Sequence, residues 1–220
     1  MGYMKFFSGL INLLYPPRCA FCRRVLKTRE KGICGRCHET LERTKNGGKQ
    51  SGDFFTLAVS PLFYTGKVRR SILRFKFNDA TSYANTYGEL MAESVAEHLK
   101  GSYDVVTWVP LSDKRRRKRG YDQAMLLAMA TALKLGDVAL ELLIKQVDVP
   151  AQSSLGGAEA RRANISGAYT VHDEELVRGK RVLLIDDVIT TGATISECAK
   201  TLRFFGAADV VCVTLARSSE

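Results

Sequence analysis

The chain has no apolar stretch of about 18 residues, so no membrane-spanning helix is expected. No secretory leader is expected either. The opening MGYMKFFSGLINLLYPP carries a short apolar segment, but Tyr15-Pro16-Pro17 stands where a small-residue cleavage site belongs. A short helix with apolar Phe6, Leu10, Leu13 and Leu14, stopping before Pro16, fits this start. Docking on the protein is the expected role of that helix, and a membrane-surface or partner-binding role is the other reading. Tryptophan occurs once, as Trp108 in an apolar run, and reads as packing. No internal repeat is evident beyond a pair of cysteine knuckles. Acidic residues are scarce at the front: residues 1–50 hold eleven Lys/Arg against three Glu, a net +8, whereas the remaining 170 residues carry +2. A basic front module beside a nearly neutral remainder suits an anionic partner, nucleic acid first, or simply a soluble surface.

What is present begins with six cysteines. Four form Cys19-Ala-Phe-Cys22 and Cys34-Gly-Arg-Cys37, with eleven residues between the pairs. Two knuckles closing on each other supply the tetrahedral sulfur set that zinc prefers. Arg18, Arg23, Arg24 and Arg36 flank them and favour thiolates. A segment this short buries little core, so a metal staple has a structural purpose. Two disulfides are the alternative, and no secretion signal supports them. His38 is expected at the surface, and Cys198 and Cys212 read as small core residues.

Residues 38–52 read as a short polar helix running into a Gly/Lys/Ser linker. The chain therefore divides into a helix-plus-zinc module over 1–50 and a larger domain over 51–220. In the larger part, FFTLAVSPLFYTG is strand-like, and a helix with one basic face starts at Lys67. A second helix covers 84–100 and a buried strand 104–110. A charged loop then precedes a helix over 121–135, and 138–145 suits a further strand. An apolar strand spans 181–186, a helix 192–205 and a last strand 208–216. Apolar strands alternating with helices indicate a parallel sheet covered on both faces, an α/β fold.

In such a sheet, ligands bind beyond the carboxyl ends of the strands. There the sequence reads Asp186-Asp187-Val188-Ile-Thr-Thr-Gly-Ala-Thr194, leading into a helix N-terminus. Free amides, the positive end of a helix and the hydroxyls of Thr190, Thr191 and Thr194 make an anion site, and Gly192 lets backbone approach. The paired carboxylates suit vicinal hydroxyls. A phosphate and a diol at one loop describe a ribose 5-phosphate. The spacing is not that of a nucleoside triphosphate loop, and no loop lysine is present.

VLLIDDVITTGAT resembles the phosphoribosyl pyrophosphate (PRPP) signature of type I phosphoribosyltransferases. The whole chain resembles the ComF family of competence proteins (ComFC/GntX type). The resemblance is carried by the Pro-Pro-x-Cys-x-x-Cys entry with its second CxxC, by VRRSILRFKFND, by VPLSDKRRRKRGYDQA and by AQSSLGGAEARRANISGAY. It implies a type I phosphoribosyltransferase-like sheet behind a small zinc module. It implies that Asp186 and Asp187 hold the ribose hydroxyls directly or through Mg²⁺, and that residues 190–194, with Val188 and Ala193 in the loop, cradle the 5-phosphate. Pro110, Leu111 and Ser112 become the pyrophosphate loop. Arg119 helps neutralise pyrophosphate, and 146–168 becomes a hood bringing Gln152, Arg161, Arg162 and Asn164 to the ligand. Asp186, Asp187 and Arg119 are the catalytic candidates. The family usually shows Asn where this chain has Asp122, which turns a donor into an acceptor.

Two basic stretches stay open. Lys114-Arg115-Arg116-Arg117-Lys118-Arg119 can be a solvated run, a single-stranded DNA contact or a phosphate contact. Arg69, Arg70, Arg74 and Lys76, interleaved with Phe75 and Phe77, suit a strand-tracking groove, although paired Phe more often form core. The resemblance implies a cytoplasmic protein of natural transformation, handling single-stranded DNA beside uptake proteins such as a helicase. Its PRPP site would then act as sensor or scaffold. An active transferase with an unidentified amine or base acceptor, and a regulatory nucleotide binder, are the competing readings. No glutaminase segment or N-terminal nucleophilic cysteine is present to supply ammonia.

Overall fold

The computed structural model describes residues 16–77, 80–146 and 168–219. The expected N-terminal helix, and Gln152, Arg161, Arg162 and Asn164 of the expected hood, lie outside the described residues.

Four strands run parallel in the order β1 (Leu57–Val59), β7 (Asp209–Arg217), β6 (Arg181–Ile189) and β3 (Val105–Trp108); β2 (Leu62–Phe63) also pairs with β7. The central strands are apolar on both sides because both faces are covered. Leu183, Ile185, Val211 and Val213 pack toward α2 (Gly66–Phe77), α3 (Ala84–His98) and α5 (Gln123–Leu135). Val182, Leu184, Val210 and Cys212 pack on the other face toward α6 (Ala193–Phe204). Leu183, Leu184 and Ile185 have no exposed surface, and each such side chain contributes about 1.5–3 kcal/mol. Helices α3 and α5 touch closely at Gly88, where a Cβ would lie 2.6 Å from that of Ala130. Cys198, Cys212 and Trp108 are core, as expected.

The register of β3 on β6 positions the site. At the amino edge, Arg181 donates to both carboxylate oxygens of Asp104, at 3.1 and 2.7 Å. From there Val105 pairs with Val182 and Trp108 with Ile185, and Val109 donates the last amide to Ile185. Pro110 has no amide to continue the ladder. Strand β6 does continue. It was expected to stop at Asp186, but its pairing with β7 extends through Ile189 opposite Arg217. Both acids therefore sit inside a strand whose β3-side partner has ended.

Two further expectations are corrected. The basic run is not a loop but helix α4 (Asp113–Arg119), ended by Gly120 in the left-handed conformation. The polar helix expected at 38 starts earlier, as α1 (Gly35–Thr40). The stretch after it is no loose tether: Arg43 bridges Leu62, and Gln50 and Ala58 exchange both backbone bonds. Cys19, Phe21, Cys34 and Cys37 join the same core as Phe75 and Tyr87. A short antiparallel pair, β4 (Leu143–Lys145) and β5 (Tyr169–Val171), stands apart from the parallel sheet.

Candidate sugar-phosphate cleft and cysteine cluster

A cleft of about 300 Å³ opens at the carboxyl edge of the sheet. Val109, Pro110 and Leu111 form one wall, and Asp186, Asp187, Val188, Thr190 and Thr194 form its floor. Lys76, Arg115, Arg119 and Lys145 bring positive charge to it. Ser112, Thr191, Gly192 and Ala193 are not among its lining residues. Arg161 lies outside the described residues.

The acids project to opposite sides of β6 by strand alternation. Asp186 accepts the amide of Asp187 at 2.8 Å. Burial, and then the adjacent Asp187 carboxylate, push its carboxyl up to about 8. Asp187 is 4% exposed and pairs through Oδ1 with Lys76 Nζ at 2.8 Å. Its Oδ2 is buried and has no partner among the described residues. A buried acceptor left unmet costs about 1–3 kcal/mol, more when charged. Two successive carboxylates on the cleft floor, with this unmet capacity at Asp187, fit a divalent cation or a pair of sugar hydroxyls.

Past Ile189 the chain enters α6 through Gly192, whose φ of +78° favours glycine. A side chain there would make only ordinary contacts, so conformation rather than crowding selects glycine. The first-turn amides of α6 have no acceptors within the helix. Thr190 and Thr194 border the cleft, while the hydroxyl of Thr191 accepts the amide of Ala193 at 3.4 Å.

Lys76 is the cleft residue that sequence reasoning placed elsewhere, among the nucleic-acid contacts. Its position was readable: Val68, Ile72 and Lys76 fall four residues apart on the stripe of α2 that faces inward. Tyr64, Lys145 and Tyr169 were also missed as wall residues, and they carry no sequence motif. Lys145 Nζ lies 4.9 Å from the Tyr169 ring centroid and 3.2 Å from its hydroxyl. Burial, followed by Cys198 and Asp186, pushes the Tyr169 phenol up. Asp122 caps α5 by accepting the amides of Ala124 and Met125, so its carboxylate is part of the frame.

The basic residues separate by environment. Lys114, Arg115, Arg116, Arg117 and Lys118 are exposed on α4, with Arg116 bonded to Asp113 at 2.9 Å. Arg119 donates to Gln123 at 2.6 Å and lies 4.8 Å over the Phe77 ring. Arg69 and Arg70 are exposed, whereas Arg74 turns inward onto the backbone carbonyls of Ala20 and Phe21. The two Phe part company: Phe75 is fully buried and Phe77 is 64% exposed. A second hollow, of about 460 Å³, adjoins the cleft and is lined by Lys76, Phe77, Arg115, Lys118, Arg119 and Tyr121.

The sulfurs of Cys19, Cys22, Cys34 and Cys37 lie within 4.8 Å of one another. The first knuckle closes with Cys19 donating to the Arg24 carbonyl at 2.8 Å and Arg23 to that of Cys19 at 2.9 Å. Arg23 adopts a left-handed φ of +65°. Four cysteines gathered from two turns match a structural zinc site.

Residues 86–220 match the family model of the phosphoribosyl transferase domain, and residues 10–52 match that of the double zinc ribbon domain. The chain is 27% identical to Competence protein F of Haemophilus influenzae, covering 91% of this chain and 97% of that protein. It is 26% identical to the DNA utilization protein YhgH of Salmonella typhi, covering 94% and 99%. Among solved structures it is similar to the allosteric regulatory enzyme of purine biosynthesis, at 22% identity, 64% of this chain, 29% of that chain and a TM-score of 0.46. With a matching transferase domain over more than half its length, a double zinc ribbon ahead of it, and a competence protein and DNA utilization proteins as near full-length relatives, the chain belongs to the phosphoribosyl transferase domain family, in the ComF type.

Proposed function

We propose that this protein binds PRPP, together with Mg²⁺, in the cleft at the carboxyl edge of the sheet. One observation carries the reading: Asp186 and Asp187 follow one another on the floor of a cleft lined by cations, and the buried Asp187 keeps an Oδ2 with no partner among the described residues. The sugar hydroxyls bond to this pair. The 5-phosphate takes the hydroxyls of Thr190 and Thr194 and the first amides of α6. Arg115 and Arg119 face the pyrophosphate. Mg²⁺, held by Asp186 and Asp187, supplies charge neutralisation for the diphosphate. Titration of PRPP with Mg²⁺ in a calorimeter tests this: saturable binding at one site per chain is expected, and no heat above dilution overturns it.

The work served is DNA handling of the competence type, in the cytoplasm beside uptake proteins such as a helicase. The exposed cations of α4, with Arg69 and Arg70, engage single-stranded DNA. The hollow beside the cleft supports this, because it sets Phe77 and Tyr121 among Lys118, Arg115 and Arg119. Arg74 and Lys76 are already engaged inside the protein and are not counted among the DNA contacts. A second reading is an active phosphoribosyltransferase. The cations favour it, since Arg115 and Arg119 line the cleft and would neutralise a leaving pyrophosphate there. Pyrophosphate release from PRPP in the presence of amine and base acceptors separates the two.

A further inference from the structure

Helix α2 is held at two places that belong to different parts of the molecule. In its last turn, Arg74 Nη2 donates to the carbonyls of Ala20 at 3.0 Å and Phe21 at 2.9 Å. Ser71 Oγ also donates to Ala20 O and bonds to Tyr87 Oη at 2.6 Å. Ala20 and Phe21 are the two residues between Cys19 and Cys22, so α2 grips the first knuckle itself. Two residues further on, Lys76 meets Asp187 Oδ1 in the cleft. Residues two apart lie on different sides of a helix. One rigid turn thus touches the cysteine cluster on one side and the cleft on another.

The contacts depend on each other. The Ala20 and Phe21 carbonyls that Arg74 reaches belong to the closed knuckle, so opening it would move them. Arg74 Nε is already buried without a partner among the described residues, so losing two acceptors would leave the guanidinium poorly satisfied and draw it toward water. Moving this end of α2 withdraws Lys76. Asp187 would then be left without its counter-charge in a cleft read as a polyanion site.

We propose that Lys76 is a positioning residue for Asp187, and that the closed zinc knuckle sets its place through Arg74 and helix α2, so that zinc at one end governs sugar-phosphate affinity at the other. This rests on the reading of the cleft as a PRPP site, and it adds the control of that site.

The experiment is calorimetric titration of PRPP with Mg²⁺ into the full chain, zinc-loaded and after zinc removal. It uses wild type, Lys76→Met, Lys76→Arg and Arg74→Gln, with bound zinc measured in each. Zinc removal should weaken wild-type binding about tenfold, within the usual range of coupling between sites. Lys76→Met should be as weak while still zinc-loaded, with no further loss on zinc removal. Lys76→Arg should recover most of the affinity. Arg74→Gln should keep one zinc per chain yet bind like Lys76→Met. Without any ligand, zinc removal should speed amide hydrogen exchange along residues 66–77. The proposal is overturned if zinc removal weakens Lys76→Met as much as wild type, as general unfolding would, or if zinc-loaded Arg74→Gln binds like wild type. No PRPP binding by zinc-loaded wild type would instead remove the reading of the cleft, and this control with it.

Discussion

Leu111 donates its backbone amide to Asp122 Oδ2 at 2.9 Å, while Asp122 Oδ1 accepts the amides of Ala124 and Met125. The residue that caps α5 therefore also anchors the loop following β3. An asparagine here would keep the cap through its carbonyl oxygen but turn an amide nitrogen toward the Leu111 N–H. Asp122→Asn should therefore lower stability by about 1.5–3 kcal/mol, the range for a hydrogen bond to a charged group. Asp122→Ala should cost more, because the cap, worth about 1 kcal/mol, is lost as well. Urea unfolding checks both, and an asparagine variant as stable as wild type would contradict the anchoring role.

The pH dependence of the ligand-free protein should carry two opposite contributions. Hydrogen bonds from Arg181 lower the Asp104 carboxyl to about 2, so its stabilising effect is present above its ordinary value near 3.8 and is lost as pH falls toward 2. Asp186 is raised to about 8, chiefly by burial, so the unfolded chain gives up that proton first. Its contribution makes stability fall as pH rises from near 4 to about 8. Thermal melts against pH, without divalent cations, should show that decline reduced in Asp186→Asn, whose melting temperature at pH 7–8 should exceed that of wild type. A steeper decline in the variant would contradict the assignment.

Removing zinc should disrupt more than the first fifty residues. Phe21 packs 5.9 Å from Tyr87, which in turn meets Phe75 at 5.3 Å, so the knuckle is continuous with the larger core. One zinc per chain is expected by metal analysis, with a lowered melting temperature and altered near-ultraviolet dichroism after chelation. A chelated protein that melts like the loaded one would show that the cysteines need no metal.

Neutralising Lys114, Arg116, Arg117 and Lys118 to Gln should weaken single-stranded DNA binding across sequences. For every phosphate that is no longer neutralised, the slope of log affinity against log salt should become shallower by roughly 0.7. Fluorescence anisotropy over a salt series measures this. PRPP binding should change little, because Arg115 and Arg119, which line the cleft, are retained. An unchanged salt slope would remove α4 from the DNA-binding surface.

The parallel sheet was legible because short apolar runs such as Val182–Ile185 alternate with helical patterns, as strands covered on both faces do, and the cysteine spacing showed its cluster for an equally local reason. What escaped was set by tertiary contacts. The end of β6 at Ile189 depends on the length of β7 opposite it. Six basic residues in a row say nothing of whether they coil or turn, and here Asp113 and Gly120 bound a short helix. Arg74 and Lys76 look alike in a basic stretch, yet one holds a cysteine knuckle and the other a carboxylate. Only the packing of α2 separates them.

A crystal soaked with PRPP and Mg²⁺ tests the central claim most directly. The account predicts ribose hydroxyls and cation against Asp186 and Asp187, the 5-phosphate at Thr190, Thr194 and the first amides of α6, and pyrophosphate facing Arg115 and Arg119. A cleft without the sugar phosphate, or the sugar phosphate bound elsewhere, would contradict it.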